Sequence, residues 1–239
     1  MKNQKNQPLH RRTFIKQSSG LAFSALGIST LDLSAKNPFH LPLDIQKKPA
    51  LPAELVYDFV RLAHTDLNRV KEMLLSEPGL VNASWDWGGG DFETALGGAA
   101  HMGNRAIVEY LLKNGARKDI YCSAVNGELE VVKAMVSSDP SIVNVPGPHS
   151  LSLLYHTAVG GNIDIAIILK PHVNDLASQC NRALQVAARE GHLPMTRWLL
   201  SNGVSDPNIP DFSGSTPLQI AEKRGYTSVA EYLKGHGGK

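Results

Sequence analysis

Cysteine is nearly absent: the 239 residues hold only Cys122 and Cys180, neither with a second cysteine at metal-ligand spacing. That excludes a disulfide framework and a cysteine-built zinc module. Beyond the N-terminus there is no run of the roughly 20 apolar residues needed to cross a bilayer, so the folded body is expected to carry no membrane span. Aromatic residues are scarce, at 6%. An excess of one charge is missing too. The formal net charge is +2, but residues 1–35 hold Lys2, Lys5, Arg11, Arg12 and Lys16 against Asp32 alone, and the rest of the chain has 19 basic and 21 acidic residues. A body with both signs interspersed presents no phosphate-neutralising field, which argues against nucleic acid as a partner. What the chain does have is hydrophobic residues, 42% of the total, enough to build a core.

The run His10-Arg11-Arg12-Thr13-Phe14-Ile15-Lys16 resembles a twin-arginine export signal, followed by a weakly apolar stretch from Gly20 to Leu31 and small residues at Ser34-Ala35. The resemblance implies export to the periplasm or cell surface. Leu33 is large where a cleavage site favours a small residue, so an uncleaved signal acting as a membrane tether is the alternative. Residues 36–52 carry Pro38, Pro42, Pro49 and Pro52 and read as an extended linker. The folded domain is expected over 53–235, with 236–239 a flexible tail.

Within that domain the sequence repeats. Leu96 precedes Gly103 by seven residues, Leu184 precedes Gly191 and Leu218 precedes Gly225 by the same step, and each glycine is followed eight residues later by Leu111, Leu199 or Leu233. Ile120, Gly127 and Met135 give a weaker copy only 24 residues after its predecessor, and Leu154, Gly161 and Leu169 give another. Thr can cap a helix, proline tolerates its first turn, leucine enters the core and small alanines let helices approach. The glycine suits a reversal with positive φ. Thr216-Pro217-Leu218 with Gly225 resembles the ankyrin pattern T-P-L-H-x-A-A-x-x-G, and the last two strong copies lie 34 residues apart.

The resemblance to ankyrin-repeat proteins, in particular exported bacterial ones, covers roughly residues 53–235. It implies an all-α solenoid of about six stacked antiparallel helix pairs with short hairpin or loop fingers, the first pair degenerate and the third shortened. Lys170-Pro171 should end the second helix of the fourth repeat early. Such proteins bind with their fingers and the inner faces of their first helices, so the resemblance implies another protein as partner.

The binding candidates are therefore finger residues: Trp85, Asp86, Trp87 and Asp91 on a glycine-rich connection, His101, and His149, Tyr155 and His156 around a Pro-Gly-Pro-His turn. Indoles on a finger make amphipathic anchors. No metal ligands are expected, because the histidines are not at i, i+4 helical spacing and no cysteine joins them. No catalytic residue and no cofactor are expected. The readings kept as alternatives are a small-ligand sensor and a hydrolase-like enzyme recruiting Asp86, Asp91 or Glu93 beside His101 or His156. Gly88-Gly89-Gly90 is followed by no Gly-Lys-Ser/Thr and so makes no phosphate loop. Cys122 is expected to be buried in a first helix and Cys180 to fall in a connection.

Overall fold

Gly103, Gly127, Gly161, Gly191 and Gly225 all adopt φ between +69° and +77°, left-handed geometry that a side chain would strain. Each ends one helix and starts the next, so the sequence frame is a structural frame. The structure, a computed structural model, describes residues 49–239; the twin-arginine segment and most of the proline-rich linker lie outside the described residues.

Among the described residues, six helix pairs follow one another. They are α1 (Ala53–Leu62) with α2 (Leu67–Ser76), α3 (Ala95–His101) with α4 (Arg105–Lys113), and α5 (Ile120–Val125) with α6 (Leu129–Ser138). Then come α7 (Leu153–Gly160) with α8 (Ile163–Leu169), α9 (Leu176–Glu190) with α10 (Leu193–Asn202), and α11 (Pro217–Lys223) with α12 (Thr227–Gly235). The all-α repeat fold expected from the sequence is the fold found. A short antiparallel hairpin, β1 (Ser84–Asp86) and β2 (Phe92–Thr94), forms the finger before α3.

Every first helix after α1 is opened by a side-chain cap. Thr94, Asp119, Ser152, Asp175 and Thr216 each accept from a backbone N–H of the first turn, and Thr216 with Gln219 completes a capping box. The frame residues Leu96, Ile120, Leu154, Leu184 and Leu218 then point into the core. First helices pack each against the next from α1 through α11, giving a continuous inner row.

The outer row is less regular. Leu111, Leu169, Leu199 and Leu233 are buried as the frame requires, but Met135 is 37% exposed and Val131 is also turned out. Val132 and Val136 occupy the core instead. The register of α6 is thus one residue later, and the helix runs into a 3-10 turn, Pro140–Asn144, that buries Val143. Helix α2 behaves alike, burying Val70 and Leu74 before the turn Pro78–Asn82. The Asn closing each turn ties it to the next connection. Asn82 accepts from Arg117 N and donates to Gly115 O, and Asn144 accepts from Asn174 N and donates to His172 O. Asn208 does the same for Lys239 N and Gly237 O. The last residues, expected to be a flexible tail, make these bonds and accept from Thr216 Oγ1 at Lys239 O.

Only residues 114–119 join α4 to α5. A cleft of about 500 Å³, lined in part by Arg105, Val108, Leu112 and Glu128, opens between α4 and the α5–α6 turn. Helix α8 ends at Leu169, and Lys170–His172 turns as a 3-10 segment, as Lys170-Pro171 implied. Cys122 is buried in α5, while Cys180 lies buried inside α9 rather than in a connection, because α9 begins earlier than the repeat frame requires. Burial pushes the Cys122 thiol up to about 12, with the charge of Asp119 adding to it, and the Cys180 thiol up to about 11. Both are inert packing residues.

Candidate functional site

The hairpin before α3 is built around its glycines and one aspartate. Asp86 Oδ1 accepts from the N–H groups of Gly88 and Gly90, and Trp87 N–H bonds to Asp91 O, closing the turn. Pairing Trp85 with Glu93 across the strands sets both side chains on one face, where Trp85 meets Tyr57 of α1 at 5.2 Å between ring centroids. Alternation along β2 leaves Phe92 facing out, 62% exposed, and sends Glu93 inward to 1% exposure.

Glu93 is the hub of a cluster. Its Oε2 accepts from Trp87 Nε1 at 2.8 Å and lies 3.3 Å from His64 Nε2 and 3.4 Å from His149 Nε2; its Oε1 lies 3.0 Å from His101 Nε2. One ligand-type atom from each of His64, Glu93, His101 and His149 falls within 4.8 Å of the other three. His64 follows the end of α1 and presents Nδ1 to the carbonyls of Val60 and Arg61 at 3.0 and 3.1 Å. A carbonyl only accepts, so Nδ1 carries the proton and Nε2 faces Glu93 with its lone pair when the ring is neutral. His101 is the last residue of α3. His149 sits in left-handed backbone, φ 56° and ψ 27°, followed by Ser150 at φ 55°. Asp91 holds it there: Oδ1 accepts from His149 N–H at 2.8 Å and Oδ2 lies 3.1 Å from Nδ1.

Burial works to raise the Glu93 carboxyl, but the close approach and charges of His101 and His64 outweigh it and hold the group well below the usual carboxylate range. Burial would likewise depress His64, but the Glu93 bond and charge leave it raised. For His101 burial wins, aided by repulsion from His64 and His149, and its pKa is lowered. An ionised carboxylate beside three imidazoles is a nitrogen-rich donor set able to hold a metal ion.

Of the residues singled out in the sequence, Trp85, Asp86, Trp87, Asp91, His101 and His149 gather at this hairpin. Tyr155 and His156 do not join them. Tyr155 turns its hydroxyl to Arg189 at 3.4 Å, and His156 is buried with Nδ1 bonded to Ser152 O, its pKa pushed down to about 4 by desolvation. The tryptophans are partly buried packing partners of Tyr57 and His64, not free anchors. Asp86 and Asp91 serve the turn and His149, so neither is placed as an acid or base for hydrolysis.

Where no metal ligands were expected, four residues with ligand-type atoms come together. They come from four separate elements, which linear spacing does not register. Sequence reasoning missed His64 altogether and read Glu93 as one of several scattered acids. The available signal was Gly97-Gly98 inside a helix, where glycine is unfavourable unless something approaches closely. A cleft of about 620 Å³ opens beside the cluster, lined by Gly88–Phe92 on one side and Pro146–Pro148 and Ser150 on the other, with Tyr121 and Asp119.

Residues 120–239 match the family described as ankyrin repeats, three copies. Over 161 residues the chain is 24% identical to the nuclear factor NF-kappa-B p105 subunit of Gallus gallus, covering 61% of this chain and 16% of that protein. It is 27% identical over 130 residues to the cyclin-dependent kinase 4 inhibitor B of Rattus norvegicus and 28% identical to that of Bos taurus, covering 52% of this chain and 95% of each relative.

Proposed function

This chain belongs to the ankyrin-repeat family, and on that premise we propose that it is a non-catalytic protein-binding module acting through its fingers and the inner faces of its first helices. The observation that carries the reading is a pair of phenylalanines left in solvent on two fingers, Phe92 at 62% and Phe212 at 97% exposure. Each stands just before the cap of a first helix, at Thr94 and Thr216. Holding an aromatic ring in water gains nothing for the isolated fold, and such rings serve as anchors when a partner desolvates them. Relatives with the inhibitor name act on a kinase by that name, which supports a protein partner here.

As part of the same proposal, the twin-arginine resemblance supports a location in the periplasm or at the cell surface. A domain whose two cysteines are both free and buried is suited to export in the folded state.

A photo-crosslinking residue at Phe92 or Phe212, compared with one at Leu75 on the outer helix α2, tests the binding face in the native cell. One discrete adduct from both finger positions and none from Leu75 supports the reading; equal labelling from all three overturns it. Replacing Arg11 and Arg12 by Lys should retain the chain in the cytoplasm, and unchanged export would refute the localisation.

A further inference from the structure

We propose that His64, Glu93, His101 and His149 bind one divalent first-row transition metal ion of the zinc class, which staples α1, the first hairpin, α3 and the Pro146–Ser150 turn together. The inference goes beyond protein binding and does not depend on it.

The donor atoms, one from each residue and all within 4.8 Å of one another, are close enough to converge on such an ion. Bonds of about 2.0–2.1 Å in a tetrahedron put neighbouring ligands about 3.3–3.4 Å apart. Glu93 oxygens lie 3.0, 3.3 and 3.4 Å from the Nε2 atoms of His101, His64 and His149. Three imidazoles with one carboxylate suit zinc and its neighbours and are a poor set for Mg2+ or Ca2+, which take oxygen. Four protein ligands closing one centre are the pattern of a structural site.

A second observation points into the same space. Glu93 Oε1 and His101 Nε2 are fully buried and lie 3.0 Å apart, yet they are not aligned for a hydrogen bond with each other and have no other partner. Buried polar atoms are almost always satisfied. A cation accepting both lone pairs would satisfy them together. Meanwhile Trp87 Nε1 donates to Glu93 Oε2 and so fixes the plane of the carboxylate, both oxygens of which face the imidazoles.

The outer contacts are those of a metal site as well. His64 Nδ1 is held by the Val60 and Arg61 carbonyls and His149 Nδ1 by the Asp91 carboxylate, so in both rings Nε2 is the nitrogen directed at the centre. The chain also accepts backbone cost to assemble the set. His149 and Ser150 adopt left-handed angles without being glycine, and strain of this kind concentrates at functional sites.

The test uses the untagged full-length chain, stripped with a chelator and titrated with ZnCl2 by calorimetry, and with CoCl2 followed by visible absorption. The expected result is saturation at one ion per chain, intense Co2+ bands of tetrahedral coordination and a raised melting temperature. His149→Ala, in a half-exposed turn, should weaken binding by about tenfold or more without unfolding the chain. Glu93→Gln should abolish the Co2+ bands, and His236→Ala, on the exposed end of the last repeat, should bind as the parent does. Failure to saturate at one ion, parental affinity in both His149→Ala and Glu93→Gln, or displacement of Zn2+ by equimolar Mg2+ or Ca2+ would overturn the proposal.

Discussion

The imidazole of His64 lies over the α-carbon of Gly98: a Cβ at position 98 would stand 2.8 Å from His64 Cε1 and 2.9 Å from Nδ1. The glycine in the middle of α3 is therefore the floor of the cluster. Gly98→Ala gains about 1 kcal/mol of helix propensity and loses about 1–3 kcal/mol to overpacking, so net destabilisation is expected in urea unfolding. Gly235→Ala, where a methyl meets nothing, should be neutral or stabilising. Stabilisation by Gly98→Ala would mean that His64 is not confined there.

Asp91 acts on the centre through His149. Asp91→Ala should lower zinc affinity about 10–100-fold and shift the Co2+ spectrum, because the imidazole loses the partner that fixes its orientation. An unchanged spectrum would show that the Asp91 contact serves the turn alone.

At the same step of the repeat, Leu199 is buried and Met135 is half out. Leu199→Ala should cost about 2–5 kcal/mol, and Met135→Ala well under that, since little cavity is left behind. Equal losses would contradict the shifted register of α6.

The buried His156 gives a pH dependence of known sign. Its pKa falls from 6.5 to about 4 on folding, so the unfolded chain binds the extra proton between these values. The stability contributed is fully present above pH 6.5 and is lost as the pH falls toward 4, by about 3 kcal/mol over the full range. Proton NMR should find this imidazole neutral at pH 5. A midpoint near 6.5 would show the ring to be open to water.

Much of the fold was legible because the frame glycines and leucines serve one local purpose each, reversal or burial, at a constant step. The third repeat was the exception: Val131 and Met135 occupy the frame positions, but the following acid–proline turn rotates α6 and buries Val132 and Val136 instead. The centre was only half legible. Asp91, His101 and His149 stood out as polar residues near a glycine-rich finger, whereas His64 lies at the end of a helix with no motif. Glu93 drew no special notice, although period-two alternation from an exposed Phe92 would have turned it inward. Nothing in linear order says that a histidine after α6 meets a carboxylate before α3.

That meeting has a cause in chain length. Residues 114–119 are too few to raise a finger between α4 and α5, so the Pro146–Ser150 turn reaches past the third repeat to Asp91, 58 residues earlier. Repeat arrays ordinarily couple only adjacent units, and their cooperativity decays along the stack. Here a next-nearest-neighbour link is added, so hydrogen exchange is expected to find α1 to the start of α7 opening as one block, and lengthening the 114–119 connection by a normal finger should separate that block into independently fraying units.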